Sequence, residues 1–296
     1  MTHSFFGGVY PATRKGITRR KPMARLSQTS KEVVIPLVMC ADGPATPMVR
    51  PGDPVTVGQP IARRGQTGAA AHASVSGRVI AIEDRPHPWG GRSPAIVIHN
   101  DDRSSPYPGN MPPLDPRQFT LEQMVERVAE AGIVGMGGGC FPTWEKIFRS
   151  AGKIDTLIVN GAECEPFVRS DYRLLLERGE RILRGAQALS QCLQCERVVL
   201  VTEGDKLNAV EAVERRLRRS GGRVQILPVR TCYPLGAEKQ IIQTVTGREV
   251  PPGGTAIDAA CAVFNVATVF AIQDALFQGR PLTHRAVTIT GGAVTR

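Results

Sequence analysis

The apolar positions of this chain change their period near residue 117. Between residues 31 and 100 they alternate over short runs, as in Glu32-Val-Val-Ile-Pro-Leu37 and Gly77-Arg-Val-Ile-Ala-Ile82. Turn residues punctuate these runs about every eight to twelve positions, a pattern that predicts a small all-β module. Asp101–Pro116, polar and carrying five prolines, reads as a linker. Beyond it, Leu121, Met124, Val125 and Val128 recur with a period of about 3.6 residues, which predicts a helix opened by a Thr120 cap. Apolar runs at Thr156–Val159, Val198–Val201, Val224–Leu227 and Ala286–Thr290 predict strands. Helices fall between them, including Tyr172–Leu193 and a helix from an Asp205 cap through Arg219 to Gly221-Gly222. Such alternation predicts a Rossmann-like α/β fold, a mostly parallel sheet with helices on both faces. Ligands of such sheets sit outside the carboxyl ends of the strands.

Two segments carry candidate chemistry. Gly132-Ile-Val-Gly-Met-Gly-Gly-Gly-Cys-Phe-Pro-Thr-Trp-Glu-Lys146 places five glycines within eight residues, followed by a helical pattern bearing Lys146. Glycines at this density let backbone N–H groups approach a phosphate or a planar ring without a Cβ in the way. A lysine in the next helix supplies countercharge. Asn160-Gly-Ala-Glu-Cys-Glu-Pro166 then sets Glu163 and Glu165 just past a predicted strand. Together they suggest a nucleotide-type cofactor site. It is not the dinucleotide fingerprint, which needs a strand before its glycines; here a helix precedes them, and Cys140 occupies the last fingerprint position.

Composition narrows the classes. The 296 residues suffice for one large or two modest domains, and 42% hydrophobic with 22% charged residues is that of a globular protein. The formal charge of +10 concentrates in Arg14, Lys15, Arg19, Arg20, Lys21 and Arg25, read as a weakly ordered basic arm over residues 1–30, and in Arg215–Arg219, read as a solvated helix face. With 5% aromatic residues and no basic–aromatic interleaving, nucleic acid is not an expected partner. No leader segment is expected, and Ile257–Phe277, apolar but carrying Asp258, Asn265, Gln273 and Asp274, is not expected to span a membrane. Seven cysteines without framework spacing point to a reduced, cytoplasmic setting. Cys192-Leu-Gln-Cys195 ends a helical run instead of opening one, so a structural role is expected.

The β module has a further likeness. Val49–Ile61 and Ala73–Val79 resemble the two halves of a biotinyl/lipoyl-type barrel-sandwich hybrid, but between Ile61 and Ala73 stand only Arg63 and Arg64 and no lysine to carry a group. A packing or docking module is the expectation. Phe6-Gly-Gly-Val-Tyr-Pro11, His72-Ala-Ser-Val-Ser-Gly77, the glycine loop, Asn160–Arg173, Tyr233-Pro-Leu-Gly-Ala-Glu-Lys239, Thr246–Gly254 and Asn265-Val-Ala-Thr268 occur in this order along nearly the whole chain. In this the chain resembles the RnfC family, the NADH-oxidising subunit of the Rnf electron-transport complex, and more distantly the flavoprotein subunit of respiratory complex I.

The resemblance implies an FMN- and NADH-binding α/β domain over residues 117–296, after a barrel-sandwich module at 31–100. Carried over by position, Gly135, Gly137 and Gly138 line the flavin and nucleotide cleft, and Lys146 reaches the FMN phosphate or polar edge. Asn160, Gly236, Asn265 and Thr268 hold flavin ring or phosphoribityl groups; Glu163, Glu165 and Glu238 lie near the nicotinamide, and Tyr233 near the flavin. Met136 stands where complex I relatives carry arginine, and Ala162 and Ala237 where they carry carboxylates. Plainer readings of the same residues stay open: a tight turn at the glycines, a surface lysine at Lys146, helix capping by Glu163, Glu165 and Thr268, a core amide at Asn265, and a small buried thiol at Cys140.

Family members continue past Ala286–Thr290 into a β-grasp domain and an iron–sulfur region. No iron–sulfur cluster is therefore expected in this chain. The expected partners are other subunits of an electron-transport complex or an iron–sulfur protein, with a peripheral place on the inner face of the plasma membrane. A cobalamin-reductase-like flavoprotein and a non-catalytic assembly subunit are the alternatives on the same scaffold.

Overall fold

The computed structural model describes residues 5–18, 21–26, 30–40, 43–109, 111–204, 206–220, 224–291 and 294. Arg19, Arg20, the Asp205 cap and the Gly221-Gly222 stop lie outside the described residues. The chain divides into two compact units, one of Met1–Ala24, Arg149–Phe270 and Ala286–Arg296, the other of Arg25–Phe148 and Ala271–Arg285. The expected arm and the predicted α/β region thus each contribute to both units.

The second unit begins with β1 (Glu32–Pro36), β2 (Thr46–Pro47), β3 (Pro54–Val55), β4 (Pro60–Arg63), β5 (Ala71–His72), β6 (Gly77–Pro86) and β7 (Arg92–Asn100). These form two antiparallel sheets, in the orders β1–β7–β6–β3 and β2–β4–β5. Their alternating residues meet in one core containing Val55, Ile61, Val79, Ile96 and Ile98, as two inward-facing half-buried sheets require. In the hairpin between β4 and β5, where a carrier would present its lysine, Gly68 O accepts from Trp144 Nε1 at 3.0 Å. The Arg64 guanidinium lies 4.4 Å over the Trp144 ring. The hairpin tip is held against the protein's own side chains. The proline-rich stretch is bonded too: Val57 donates to Ser105 O and accepts from Tyr107 N, both at 2.9 Å.

Two helices follow, α1 (Leu121–Glu130) and α2 (Thr143–Ser150). The α1 start is a full capping box, in which the Thr120 hydroxyl accepts from Gln123 N and the Gln123 side chain accepts from Thr120 N. Met124 and Val128, on its predicted apolar face, are fully buried.

The first unit is the predicted α/β layer. Its elements are β8 (Thr156–Gly161), α3 (Ser170–Leu193), β9 (Arg197–Glu203), α4 (Leu207–Ser220), β10 (Val224–Val229), α5 (Glu238–Thr246), β11 (Cys261–Asn265) and α6 (Val266–Gln278), the last continuing into the second unit. All four strands pair in parallel, in the order β10–β9–β8–β11. Parallel strands covered on both faces are continuous apolar runs, and every residue of β8 is buried. On one face Ile158, Val199, Val201 and Leu227 share a core with Ile241, Ile242 and Val245 of α5. The basic run of α4 is largely solvated, as expected, with exposed Glu211–Arg215 and Glu214–Arg218 pairs. Arg216 departs from it by donating to Leu176 O of α3 at 3.0 Å.

Two strand predictions need correction. Ala286–Thr290 alternates like a strand but forms none; its Thr288 hydroxyl accepts from Arg169 N at 3.1 Å instead. The fourth strand is β11, inside the apolar run Ile257–Phe277. Uninterrupted apolar character there hides the change from strand to helix, since neither period is visible.

The link from α1 to the glycine loop depends on one residue. Gly132 has φ +68°, and a Cβ there would stand 2.3 Å from Ala70 O, a backbone atom that cannot yield cheaply. Gly132→Ala is expected to destabilise the protein by about 2 kcal/mol or more. Urea unfolding measures this, and a loss below about 0.5 kcal/mol contradicts it.

Candidate functional site

Strand order places a topological switch point between β8 and β11, where chain direction through the sheet reverses and ligands of open α/β sheets bind. Asn160 lies at the end of β8 and Asn265 ends β11, and the two are register partners. Each amide first steers its own chain. Asn160 Oδ1 accepts from Ala162 N at 2.9 Å and its Nδ2 donates to Gly236 O at 3.0 Å. Asn265 Oδ1 accepts from Ala267 N at 2.8 Å, capping α6, while its Nδ2 donates to Asp171 Oδ2 at 2.6 Å. An amide has two donors and two acceptor sites, so beyond these bonds each retains one N–H and one lone pair. Thr268 lies buried within α6. It sits inside the helix, so the capping role belongs to Asn265.

Tyr233, Gly236 and Glu238 come on the connection from β10 to α5. Gly236 is bound by Asn160, Tyr233 is 44% exposed, and Glu238 is the exposed first residue of α5. Cys164 packs beneath; burial raises its thiol pKa, only partly opposed by the Gly236 backbone. It is a core side chain.

The two predicted acids part company. Glu165 is exposed, whereas Glu163 is 3% exposed and fully engaged. Its Oε1 accepts from Asp171 N at 2.7 Å, and its Oε2 from Tyr172 N and Lys206 Nζ, both at 3.0 Å. Glu163 therefore caps α3, one of the readings left open for it, and holds a lysine. Burial by itself raises this carboxyl, but Lys206 and the two helix N–H groups outweigh it and hold its pKa below the ordinary 4.5.

Three members of this cluster escaped the sequence reading. Lys206 Nζ also pairs with Glu203 Oε2 at 2.9 Å, and Lys15 Nζ reaches the same oxygen at 3.2 Å. Lys15 is 1% exposed, so this part of the expected basic arm is interior. Burial lowers the Lys206 pKa and the two carboxylates more than restore it, so it lies above its ordinary value. One signal was available: Glu203 closely follows the apolar run Val198–Val201, and a buried acid there requires a cation.

The glycine segment, in the second unit, is a loop closed at its neck. Val134 and Pro142 form a bridge, and Gly135 N donates to Phe141 O at 2.8 Å. Gly137, Gly138 and Gly139 form its exposed turn, and Arg285 Nη2 donates to Met136 O at 2.6 Å beneath it. Gly138 has φ +110°, and a Cβ at Gly138 or Gly139 would meet nothing within 4 Å. Cys140 follows with φ +46°. Lys146 is half-buried on α2, one turn in. A cavity of about 780 Å³ in the same unit, lined in part by His72, Trp144 and α1, includes none of the expected site residues.

Glu163 has a folded pKa below its unfolded one, so its stabilisation is present above about pH 4.5 and lost as pH falls through the lowered value. Lys206→Met takes the cation from buried Glu163 and leaves Glu203 with Lys15 alone, and is expected to destabilise the protein by about 3–5 kcal/mol at neutral pH. The slope of stability against pH then reverses between pH ~4 and ~7, because buried Glu163 without its cation favours its proton. Urea unfolding across this range checks the sign.

Residues 128–274 match a family model described as the Nuo51 FMN-binding domain, and residues 3–103 one described as the RnfC barrel sandwich hybrid domain. The chain is 39% identical over 296 residues to the C subunit of the proton-translocating ferredoxin:NAD(+) oxidoreductase complex of Clostridium ljungdahlii, a match covering 99% of this chain and 64% of that protein. It is 36% identical to the Na(+)-translocating counterpart of Acetobacterium woodii, over 98% of this chain and 66% of that one. The C subunit of the ion-translocating oxidoreductase complex of Pseudomonas aeruginosa is 40% identical over 99% of this chain and 38% of its own length. The chain spans less than two thirds of the length of each. No helix among the described residues is long and apolar enough to cross a membrane. By the RnfC model over residues 3–103 and its identity to these C subunits along nearly its whole length, the chain belongs to the RnfC family.

Proposed function

We propose that this chain is the FMN- and NADH-binding part of an electron-transfer subunit, accepting hydride from NADH and passing electrons to a partner protein of an ion-translocating complex. The observation that carries this reading is the Asn160–Asn265 pair, two amides with remaining capacity in register at the switch point of a parallel sheet. The relatives' names, as subunits of ferredoxin:NAD(+) oxidoreductase complexes, support the substrate class.

The residues fit a flavin mononucleotide. At Gly236 a Cβ would lie 3.6–4.0 Å from Ala162 O, Cys164 Sγ and Asn160 Nδ2, ordinary contact distances, so the protein's own packing does not demand glycine there. The space a side chain would take is left open to a ligand. The open turn of Gly137–Gly139 presents backbone N–H groups suited to an anion. Bound FMN supplies an acceptor for hydride, chemistry that needs no protein acid or base at the reacting carbon. The protein's task is then positioning. In the unit of the parallel sheet, Asn160, Asn265 and Gly236 hold ring or phosphoribityl groups and Thr268 supports the α6 start; in the other unit, Gly135, Gly137, Gly138 and Lys146 form by themselves a surface suited to an anion. Glu165 and Glu238 offer acceptors to ribose or amide groups, Tyr233 offers a ring surface, and Glu163 fixes the loop that carries Glu165.

The test is to add FMN to the purified chain and record the visible spectrum before and after anaerobic NADH. Micromolar FMN binding and bleaching by NADH but not NADPH are expected; no binding at that concentration overturns the reading. Asn160→Ala is expected to weaken FMN about tenfold, the worth of one hydrogen bond of roughly 1.4 kcal/mol.

A further inference from the structure

The segment Phe5–Lys15 belongs to the unit of the parallel sheet and bonds to the loops that leave three of its strands. Val9 N donates to Tyr233 O at 2.8 Å and Tyr233 N to Val9 O at 2.9 Å, four residues past the end of β10. Beside this pair Gly8 has φ +79°, and a Cβ there would fall 2.5 Å from Cys232 Sγ and 2.8 Å from Tyr233 O. Only glycine lets the segment lie this close. Farther along, Thr13 O accepts from Phe167 N at 2.8 Å and Lys15 O from Arg169 Nε at 2.9 Å. The buried Lys15 ammonium bridges Glu163 O to Glu203 Oε2, joining the loop after β8 to the last residue of β9.

We propose that Phe5–Lys15 is a strap that fixes the NADH side of the site, with Lys15 as a positioning residue for the loop bearing Glu165. The proposal rests on the function given above and adds a division of labour to it. Loop residues 162–169 are held at 163, 167 and 169 by the strap, and Glu165 stands exposed between those anchors. The flavin-side amides, by contrast, are held through Ala162 N, Gly236 O, Ala267 N and Asp171, bonds in which the strap has no part. The Val9 end ties Tyr233, on the flavin side, and the Thr13–Lys15 end ties the loop of Glu165, so loosening the latter disturbs nicotinamide binding before flavin binding.

Two variants of the full chain release it at opposite ends. Val9→Pro removes the N–H that Tyr233 O accepts, at a position 58% exposed and clear of the buried charges. Lys15→Met removes the ammonium while Glu203 keeps Lys206. With FMN loaded, Lys15→Met is expected to raise the KM for NADH about tenfold while the FMN Kd and the rate at saturating NADH stay within about twofold, whereas Val9→Pro, which frees Tyr233 on the flavin side, is expected to raise the FMN Kd. Amide exchange should quicken at Tyr233 in Val9→Pro and at Phe167 in Lys15→Met, with β8 and β9 unchanged. Quickened Phe167 exchange with unaltered KM in Lys15→Met overturns the strap's role in NADH binding. FMN affinity falling in step with the KM in Lys15→Met also overturns it, since that marks general loosening. Failure of the wild-type chain to take up FMN or be reduced by NADH overturns instead the function on which the proposal rests.

Discussion

Two lysines and two glutamates buried together at the carboxyl end of the sheet hold the functional end of this protein in shape. Glu203 Oε2 receives both Lys15 and Lys206, and Glu163 receives Lys206 together with the first N–H groups of α3. Removing four charges from water carries a large desolvation penalty, offset only because the carboxylates and ammonium groups answer one another. Glu203 Oε1 is left without a partner among the described protein atoms, so the cluster is tightly drawn but incompletely satisfied. Such an arrangement adds less to net stability than to specificity. It accepts one segment, in one register, across the strand ends.

Around this cluster the fold separates tasks. The parallel sheet contributes rigid strand ends, and the charged cluster orders the loops that leave them. The barrel-sandwich module has the form of a carrier domain without a carrier's chemistry, since its hairpin contains no lysine and its tip is held by Trp144 and Arg64. A carrier needs that hairpin free to swing. Here it is a fixed contact.

Much of the scaffold was legible in the chain. α1 announced itself by period and cap, β8 to β10 as short apolar runs, and the glycine loop as a turn after a helix. What stayed hidden was nonlocal. β11 sits in an apolar run whose neighbours on both sides are equally apolar, so no local signal separates strand from helix. Ala286–Thr290 has strand-like alternation but no partner, and pairing is not written in a single segment. Lys15 lies in a basic run, where solvation is the ordinary outcome. Its burial depends on Glu163 and Glu203, far along the chain. Glu163 was legible as an acid and as a candidate cap but not as the buried partner of Lys206, because Glu163 and Glu165 share the same loop and differ only in which way the folded backbone turns them.

Asn160 and Asn265 stand side by side in register, yet three helices and two strands separate them along the chain. β8, β9 and β10 can assemble in chain order, each crossover laying the next strand beside the last. β11 has to return past all of them to the free edge of β8, a long-range closure that local structure does not assist. The pair of amides exists only once that strand is home. If the pair holds the flavin as proposed, cofactor uptake is a report on topology: a chain with every helix formed but the sheet still open possesses half the grip, and only the finished sheet can be loaded.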